Sequence, residues 1–385
     1  MDRSLGIGVI GCGNIATTYF RLAPLFRGIE VRACADIDAA VANAKAEEFS
    51  VRAESVAALL AADDIDIIVN LTIPAAHFEV SRAILEAGKH VYSEKPYVLS
   101  VEEGLELETL ARNKGLRIGS APDTFLGGAG QLARHIVDAG MIGRITSGTA
   151  HVMSHGMEHW HPNPDFFFQP GGGPILDLGP YYLASLVQLA GPVSRVAALT
   201  SIPAPQRTIT SEPRRGQTID VATPTTVHAL LEFENGAVVT VNASWDVWSH
   251  GHAPLEIYGE EGSLFLPDPN FFGGEVRLTR KAEPAPLPEA WEHAFAVPNQ
   301  DHGGRQLANY RTVGLADMAL AIMADRPHRC SGELALHVVD IMTGMLRSGE
   351  SGRFEAMRTT CERPAALSPK EALDLTVPVA DSKVA

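Results

Sequence analysis

The sequence has few cysteines and no long apolar run, and each shortage argues against a class of protein. Its 385 residues include only four cysteines, which are scattered and form no CxxC pair: Cys12, Cys34, Cys330 and Cys361. This usage argues against a disulfide framework or a structural zinc site, and it favours a reducing, cytoplasmic location. No apolar run approaches the ~20 residues of a membrane span, and the N-terminus has no signal-peptide pattern.

Positive charge is also scarce. The chain carries 31 Lys and Arg against 46 Asp and Glu, a formal net charge of −15. Nucleic acids and anionic membranes are bound through basic patches, so neither is expected as a partner. What the chain does have is the composition of a globular protein, at a length that normally forms two domains.

Short apolar segments alternate with helical patterns through the first third of the chain. This alternation predicts an α/β domain with a parallel sheet covered by helices on both faces. After about residue 125, successive strands without crossover helices predict an α+β domain with an antiparallel sheet, including an Asn-Gly hairpin in FENGAVV. Helices are expected near 306–325 and 333–347. The predicted boundaries are 1–125, 126–363 and a poorly ordered tail over 364–385.

A glycine-rich loop follows the first strand and opens the first helix. Gly11-x-Gly13-x-x-Ala16 in this setting is typical of a dinucleotide site. Gly11 permits the tight turn, Gly13 lets the backbone approach a pyrophosphate, and Ala16 permits close packing of helix on strand. Asn14 and Ile15 begin the helix, whose free N–H groups and positive dipole end favour phosphate.

Asp36 ends the second strand, where a carboxylate accepts hydrogen bonds from a ribose 2′-hydroxyl and repels a 2′-phosphate. No Arg or Lys lies between residues 33 and 44. The predicted cofactor is therefore NAD rather than NADP. Asp38 is expected to be a helix N-cap.

Three motifs in order carry a resemblance to a known family: the glycine loop, SEKP at 93–96 and GGGPILDLGPYY at 171–182. With them the chain resembles the Gfo/Idh/MocA oxidoreductases over roughly residues 5–350. The resemblance implies an N-terminal Rossmann domain that carries NAD(P), and a second domain with a large, mostly antiparallel open sheet that closes the site. It also implies a homodimer or homotetramer formed through the C-terminal sheet.

Lys95 stands at the end of the fourth predicted strand, between Glu94 and Pro96. Strand ends at this edge of a parallel sheet face the ligand crevice, so the ammonium is expected near the nicotinamide. There it would donate to the substrate hydroxyl that loses hydride and stabilise its alkoxide-like oxygen. Glu94 is expected to orient Lys95 or contact the nicotinamide side. The resemblance implies the same roles, often with a cis peptide before the proline.

Asp177 and Tyr181 are four residues apart, so they share one face of a predicted helix. The family pattern usually has His where this chain has Tyr181. A tyrosine has an unperturbed pKa of about 10, and a neighbouring ammonium such as Lys95 favours the phenolate. Three residues are candidates for the general base: Tyr181 is the first choice, Lys95 the second and Asp177 the third. Asp177 would otherwise contact the substrate or align Lys95 and Tyr181.

Other strand ends supply further candidates. The resemblance places Thr72, Pro74 and His77 along the cofactor, although His77 also fits a helix-start residue. Asp123 follows the fifth predicted strand and is expected to contact ribose or substrate.

The segment MSHGMEHWHPNPDFFFQP contains His155, Glu158 and His159 in the order of a zinc motif. That motif needs a continuous helix, which Gly156 and Pro162 oppose, so no metal is expected.

A loop in the same segment suits sugar recognition better than metal binding. It carries Trp160, His161, Asn163 and Asp165. An aromatic face covers the C–H side of a sugar ring while polar groups bind its hydroxyls.

The leading prediction is an NAD-dependent dehydrogenase that oxidises a hydroxyl of a sugar, sugar derivative, glycoside or polyol. One alternative is an NAD-dependent glycoside hydrolase that works by transient oxidation and elimination. The other is a non-catalytic NAD-binding regulator on the same fold. The presence of both Lys95 and Asp177 argues against this alternative.

Overall fold

A computed structural model describes residues 4–280, 283–284, 287 and 291–378. The N-terminal part contains a six-stranded parallel sheet in the order β3-β2-β1-β4-β5-β6. Its strands are β1 (Leu5–Ile10), β2 (Ile29–Ala35), β3 (Arg52–Ala53), β4 (Ile67–Asn70), β5 (His90–Ser93) and β6 (Ile118–Ser120). The helices between them are α1 (Asn14–Leu22), α2 (Ala39–Phe49), α3 (Val56–Ala61), α4 (His77–Glu86) and α5 (Val101–Lys114). The predicted α/β class with a parallel Rossmann sheet is confirmed.

Local sequence signals explain where these helices begin. Asp38 caps α2 by accepting a hydrogen bond from the Ala40 N–H, as predicted. Ser100 and Glu103 form a reciprocal capping box at the start of α5. Such caps satisfy N–H groups that have no partner within the helix.

The C-terminal part contains a nine-stranded sheet in the order β16-β15-β14-β13-β7-β12-β11-β8-β19, in which only β7 and β12 pair in parallel. Its strands are β7 (Ile145–Met153), β8 (Val193–Ser201), β11 (Thr226–Phe233), β12 (Val238–Ser244), β13 (Leu255–Gly259), β14 (Gly262–Leu266), β15 (Arg277–Arg280), β16 (Glu283–Pro284) and β19 (Glu355–Ala356). Two small ribbons pair β9 (Gln206–Thr208) with β10 (Thr218–Asp220) and β17 (Gln300–His302) with β18 (Arg305–Leu307). The large, mostly antiparallel sheet and the Asn-Gly hairpin between β11 and β12 are both as predicted.

The helices of the C-terminal half cover the inner side of this sheet and then return to the N-terminal domain. They are α6 (Gly128–Asp138), α7 (Pro174–Asp177), α8 (Gly179–Ala190), α9 (Val313–Met323), α10 (Gly332–Ser351) and α11 (Pro369–Leu375). The α9 helix packs against β2 and β6, and α10 packs against both α5 and β8. Among the described residues, no helix has the length and apolar character needed to cross a lipid bilayer.

The predicted disorder of the tail is wrong for residues 364–378. Leu367 and Leu375 are buried, and the Arg27 N–H donates to the Leu375 carbonyl. Thr376 forms a β-bridge with Phe26, so the end of the chain lies along the N-terminal domain. The rest of the predicted tail, residues 379–385, lies outside the described residues.

The outer face of the nine-stranded sheet exposes several apolar side chains. Leu199, Leu230, Val238 and Phe354 are among the exposed large hydrophobic residues of the described chain. The homo-oligomer expected through this sheet stays a prediction.

A buried carboxyl on α5 gives a pH-dependent prediction. Burial, and then the Glu333 charge, raise the pKa of Glu108 from 4.5 to about 7. One Glu108 oxygen is buried without a hydrogen-bond partner in the described chain. The folded protein keeps this proton to higher pH than the unfolded chain, so the site opposes folding increasingly between pH 4.5 and 7.

We therefore expect Glu108→Gln to stabilise the protein above pH 7 by roughly 2 kcal/mol, with a much smaller gain at pH 5. Thermal unfolding of wild type and variant at both pH values measures this difference. Glu106→Gln removes an exposed carboxylate from the same helix and is the control. Equal effects of Glu108→Gln at the two pH values would contradict the prediction.

Candidate active site

The glycine loop has the space and the free N–H groups that a dinucleotide needs. Gly11 has φ +97°, and a Cβ there would meet the Leu71 carbonyl at 2.7 Å, so only glycine fits the turn. A Cβ on Gly13 would meet nothing within 4 Å, which leaves the backbone open to a ligand. Gly13 is the N-cap of α1 and supplies no side-chain cap. The residues present therefore fit a bound pyrophosphate.

Asp36 lies beside this loop, at the end of β2. One of its oxygens accepts the Cys12 N–H at 2.7 Å and the other accepts the Asp38 N–H at 3.0 Å. These bonds fix the carboxylate next to the glycine turn. Each oxygen retains a lone pair for a further donor.

The segment after β5 is tied to the first helix. Glu94 accepts hydrogen bonds from the Tyr19 hydroxyl at 3.0 Å and from the Lys95 N–H at 2.9 Å. Its own N–H donates to the Asn70 carbonyl at the end of β4. The Lys95–Pro96 peptide is cis, as the resemblance implied. The side chain of Lys95 extends to Asp177 in the C-terminal domain.

Lys95 meets Asp177 across the two domains. Its Nζ donates to the Asp177 carboxylate at 2.8 Å and to the Asp177 carbonyl at 2.6 Å. Burial alone would lower the pKa of Lys95, but the charge of Asp177, then that of Tyr181, outweighs burial and raises the pKa. Lys95 is therefore a cation at neutral pH and a hydrogen-bond donor.

Tyr181 lies between two cations on the first turn of α8. Its ring centroid is 5.3 Å from Lys95 Nζ and 6.0 Å from the guanidinium carbon of Arg311. Tyr181 is buried, with 8% of its surface exposed. The structure thus brings together Lys95, Asp177 and Tyr181, the three side chains predicted to do chemistry.

These side chains face an open cleft with an empty volume of about 1070 Å³. A second cleft of about 580 Å³ shares Lys95 and Asp177 and is also lined by Pro74 and Phe167. The larger cleft is lined by Ile15, Thr18, Lys95, Ser154, Gly156, Met157, His159, Trp160, Phe167, Asp177, Leu178, Tyr181, Asn270, Asn309 and Arg311. The arrangement provides an ammonium, a carboxylate and a phenol at the wall of one ligand-sized space.

Sequence reasoning missed Arg311, Asn270 and Asn309. Arg311 was counted inside a helix predicted from residue 306, whereas α9 begins at Val313 after Thr312, which has φ +91°. The arginine therefore ends a loop and points into the cleft. No spacing signal connects it with Tyr181, which is more than a hundred residues away.

His77 does not face the cleft, so the expectation that it lies along the cofactor is wrong. It is fully buried, and its ring nitrogens lie 2.7 Å from the Pro96 carbonyl and 3.0 Å from the Thr72 carbonyl. Its role is to join the loops after β4 and β5. The Thr72 hydroxyl is likewise turned inward and donates to Asn70 at 2.7 Å.

Asp123 is also buried, contrary to its predicted contact with ribose or substrate. Its carboxylate accepts the N–H groups of Thr312 at 2.9 Å and Gly314 at 3.0 Å, and so holds the start of α9. Burial raises the pKa of Asp123 to about 6, even though the Gly314 N–H lowers it.

The aromatic loop divides into residues that line the cleft and residues that do not. Trp160 lines it and is 57% exposed. His161 instead packs edge-on against Trp160, Phe166 and Phe167. Asp165 forms an ion pair with Arg214. Neither His161 nor Asp165 is among the residues that line the larger cleft, and their substrate contacts stay predictions.

The segment with the zinc-like order is not helical, as predicted. Glu158 forms a buried ion pair with Arg207 at 2.8 Å. Among the described residues, no group of three or more His, Cys, Asp or Glu side chains is placed to hold a metal ion.

Two family models match the chain. A family model described as "Oxidoreductase family, NAD-binding Rossmann fold" of the GFO/IDH/MocA group matches residues 5–121. A second model, the GFO/IDH/MocA C-terminal domain, matches residues 131–265. The two models together match more than half of the chain.

Two curated relatives act on sugar-related molecules. A dTDP-3,4-didehydro-2,6-dideoxy-alpha-D-glucose 3-reductase from Saccharopolyspora spinosa is 28% identical over 73% of this chain and 81% of its own length. A levoglucosan dehydrogenase from Pseudarthrobacter phenanthrenivorans is 26% identical over 68% of this chain and 73% of its own length. A WlbA dehydrogenase from Bordetella pertussis, solved with NADH and UDP-GlcNAcA, shares the fold with a TM-score of 0.71 at 21% identity, over 92% of this chain and 99% of that chain.

Proposed function

The chain belongs to the GFO/IDH/MocA family of NAD-binding oxidoreductases, and from this we propose that it oxidises a ring hydroxyl of an uncharged sugar or polyol. The observation that carries the proposal is the meeting of Lys95 with Asp177 and Tyr181 at the wall of one cleft. Each comes from a different element, and all three line the cleft together with Ile15 of α1, the helix that follows the glycine loop.

The roles follow from the chemistry of each group. NAD, when bound, supplies the acceptor for the hydride that leaves the ring carbon. Lys95 donates to the substrate oxygen and stabilises negative charge as the proton departs. Asp177 holds the ammonium in place through its 2.8 Å ion pair. Tyr181 takes the hydroxyl proton as general base.

The charges along the cleft support an uncharged substrate. Among its described lining residues, the only Lys and Arg are Lys95 and Arg311. Lys95 is paired with Asp177, and Arg311 is held by Asn270 and Asn309. A sugar nucleotide would bring a pyrophosphate that needs further cations. The lining instead offers amide groups for hydroxyls and the exposed face of Trp160 for a ring.

The test is a panel of sugars, glycosides and polyols offered with NAD, with NADH formation as the readout. We expect turnover of at least one neutral member. Release of an aglycone without NADH accumulation would instead indicate the hydrolase that works by transient oxidation. Tight NADH binding with no turnover on any member would favour a non-catalytic regulator.

Asp36 is proposed to set the preference for NAD. Asp36→Asn keeps a side chain that accepts a hydrogen bond but removes the charge that repels a 2′-phosphate. We expect the ratio of NADPH to NADH dissociation constants to fall roughly tenfold or more. Quenching of protein fluorescence by each cofactor measures both constants.

The matched control is Asp38→Asn, which removes the same charge two residues away and retains an N-cap side chain. If the ratio of NADPH to NADH dissociation constants is unchanged in Asp36→Asn, or changes equally in Asp38→Asn, then Asp36 does not set the preference for NAD.

A further inference from the structure

A long loop supplies much of the wall of the larger cleft. This aromatic loop, residues 154–168, lies between β7 and α7 and contains one short 3₁₀ helix, Asp165–Phe168. The part of it that lines the cleft comprises Ser154, Gly156, Met157, His159, Trp160 and Phe167. Because most of the loop has no regular secondary structure, contacts with neighbouring segments decide where its cleft-lining side chains lie.

The β9–β10 ribbon and the turn between its strands hold the backbone of this loop. The Glu158 carbonyl accepts the N–H groups of Thr210 at 2.9 Å and Ser211 at 3.2 Å. The Ser211 hydroxyl also donates to the His161 carbonyl at 2.6 Å. The ribbon therefore binds the loop on both sides of Trp160, the exposed aromatic residue of the cleft wall.

The loop and the ribbon also share a small apolar core that is separate from the main one. Its buried members are Met157, Phe168, Ile209, Ile219, Val221 and Trp245. Phe167 and Leu178 pack against this cluster and also line the cleft. Because the main core is built from other buried residues, a disturbance of the small core should affect the cleft wall more than the rest of the fold.

Arg207, on β9, is the charged centre of the contact between ribbon and loop. The side chains of Arg207 and Glu158 are each only 6% exposed, and they pair at 2.8 Å. The same guanidinium donates to the Trp245 carbonyl at 3.1 Å and pairs with Asp246, just after β12. One buried cation thus joins the ribbon, the aromatic loop and the nine-stranded sheet.

The charge balance around Arg207 makes this cation difficult to remove. Two carboxylates, those of Glu158 and Asp246, face a single guanidinium. Asp246 also accepts the hydroxyls of Thr225 at 2.8 Å and Thr226 at 2.6 Å, whereas one Glu158 oxygen is buried without a partner in the described chain. Loss of the guanidinium would leave Glu158 as an enclosed anion with no side-chain donor, which is strongly unfavourable.

The Glu158 carboxylate lies directly behind the cleft wall. Gly156 lines the cleft, and a Cβ there would collide with the unpartnered Glu158 oxygen. A movement of this carboxylate toward water would therefore displace the loop backbone near Gly156 and, with it, the neighbouring residues that form the wall.

We propose that Arg207 is a positioning residue that fixes the aromatic loop, and that the β9–β10 ribbon thereby sets the affinity of the cleft for its sugar. This inference rests on the proposed function. In the described chain, the hydrogen bonds and ion pairs of Arg207 do not involve Lys95, Asp177 or Tyr181. Loss of Arg207 should therefore weaken the binding of the ring more than it slows the chemical step.

The first test separates KM from kcat on the best neutral substrate of the panel. Arg207→Gln is expected to raise KM about tenfold or more and to leave kcat within about threefold of wild type. Arg207→Lys keeps the charge but loses the fork that reaches several acceptors, so its KM should be intermediate. Arg215→Gln removes an exposed guanidinium from the turn of the same ribbon, where it pairs with Glu212, and is the matched control.

A double variant tests the cause of the effect and guards against failure of Arg207→Gln to fold. Glu158→Gln in the Arg207→Gln background removes the anion that has lost its partner. We expect this protein to fold, with a KM between those of wild type and Arg207→Gln. If Arg207→Gln itself does not fold, Arg207→Lys takes its place, with KM raised by about three- to tenfold and kcat within about threefold.

The second test needs no substrate. Hydrogen–deuterium exchange, followed by mass spectrometry of peptides, measures how easily backbone hydrogen bonds open. In Arg207→Gln, or in Arg207→Lys if that variant takes its place, we expect several-fold faster exchange in peptides that cover 154–168 and 206–220. Peptides from α10 should be unchanged, and Arg215→Gln should match wild type throughout.

These outcomes separate the inference from the proposed function. If exchange in the aromatic loop rises but wild type oxidises no member of the panel, the proposed function fails while the positioning of the loop by Arg207 stands. If KM stays within about twofold of wild type in the Arg207 variants, the ribbon does not set substrate affinity and the inference is overturned. A fall in kcat without a rise in KM, or faster exchange across the whole protein, would also overturn it.

Discussion

Lys95→Met is expected to lower kcat for sugar oxidation by about 10³-fold. Methionine retains much of the apolar stem but removes the donor that faces the substrate oxygen. It also leaves the Asp177 carboxylate, now 20% exposed, without its 2.8 Å partner. The loss should appear mainly in kcat, because the ammonium acts most strongly on charge that develops during the reaction.

The measurement is steady-state turnover on the best neutral substrate of the panel, together with NADH binding by fluorescence. Lys114→Met, which removes a surface ammonium from α5, is the control. We expect NADH affinity to stay within a few-fold in both variants. If the turnover of Lys95→Met stays within fivefold of wild type, Lys95 is not the donor that stabilises the substrate oxygen.

Tyr181→Phe is expected to lower kcat by about 10²- to 10⁴-fold, the range of a lost general base. The ring stays, so packing in the first turn of α8 is preserved. The chain supplies a close control in the next residue. The Tyr182 hydroxyl donates to Asp268 at 3.3 Å, outside the cleft lining, so Tyr182→Phe should leave kcat within a few-fold.

The same pair of variants decides which group is the base. If Tyr181 takes the proton, the rise of kcat with pH on the acid side should disappear in Tyr181→Phe and persist in Tyr182→Phe. Full activity in Tyr181→Phe combined with a large loss in Asp177→Asn would transfer the role to Asp177.

The sequence predicted the architecture well where hydrophobic periodicity and caps agreed. Five of the six strands of the parallel sheet and the Asp38 cap of α2 follow from local patterns. The remaining strand, β3 (Arg52–Ala53), was missed because two exposed residues carry no periodic signal. The order of α11 was missed because its buried positions, Ala372 and Leu375, are few and lie in a polar segment.

The site was predictable only where a motif fixed both the position of a residue and the direction of its side chain. Lys95 and Asp177 were found because strand-end and helix-start positions place them at one edge. His77 and Asp123 occupy similar positions, but their side chains turn inward to satisfy backbone groups. That choice depends on contacts from Pro96 and Thr312, which sequence spacing does not specify.

The return of the chain to its beginning affects how chimeric enzymes should be built from this protein. The first domain is completed by residues near both termini, since Leu375 and Val377 bond to the segment around Leu25 and Arg27. A cofactor-binding module cut at residue 125 would lack α9 and the closing segment, and would leave apolar surface uncovered. Exchanging substrate domains between relatives therefore requires two junctions, so that the last helices come from the same parent protein as the nucleotide loop.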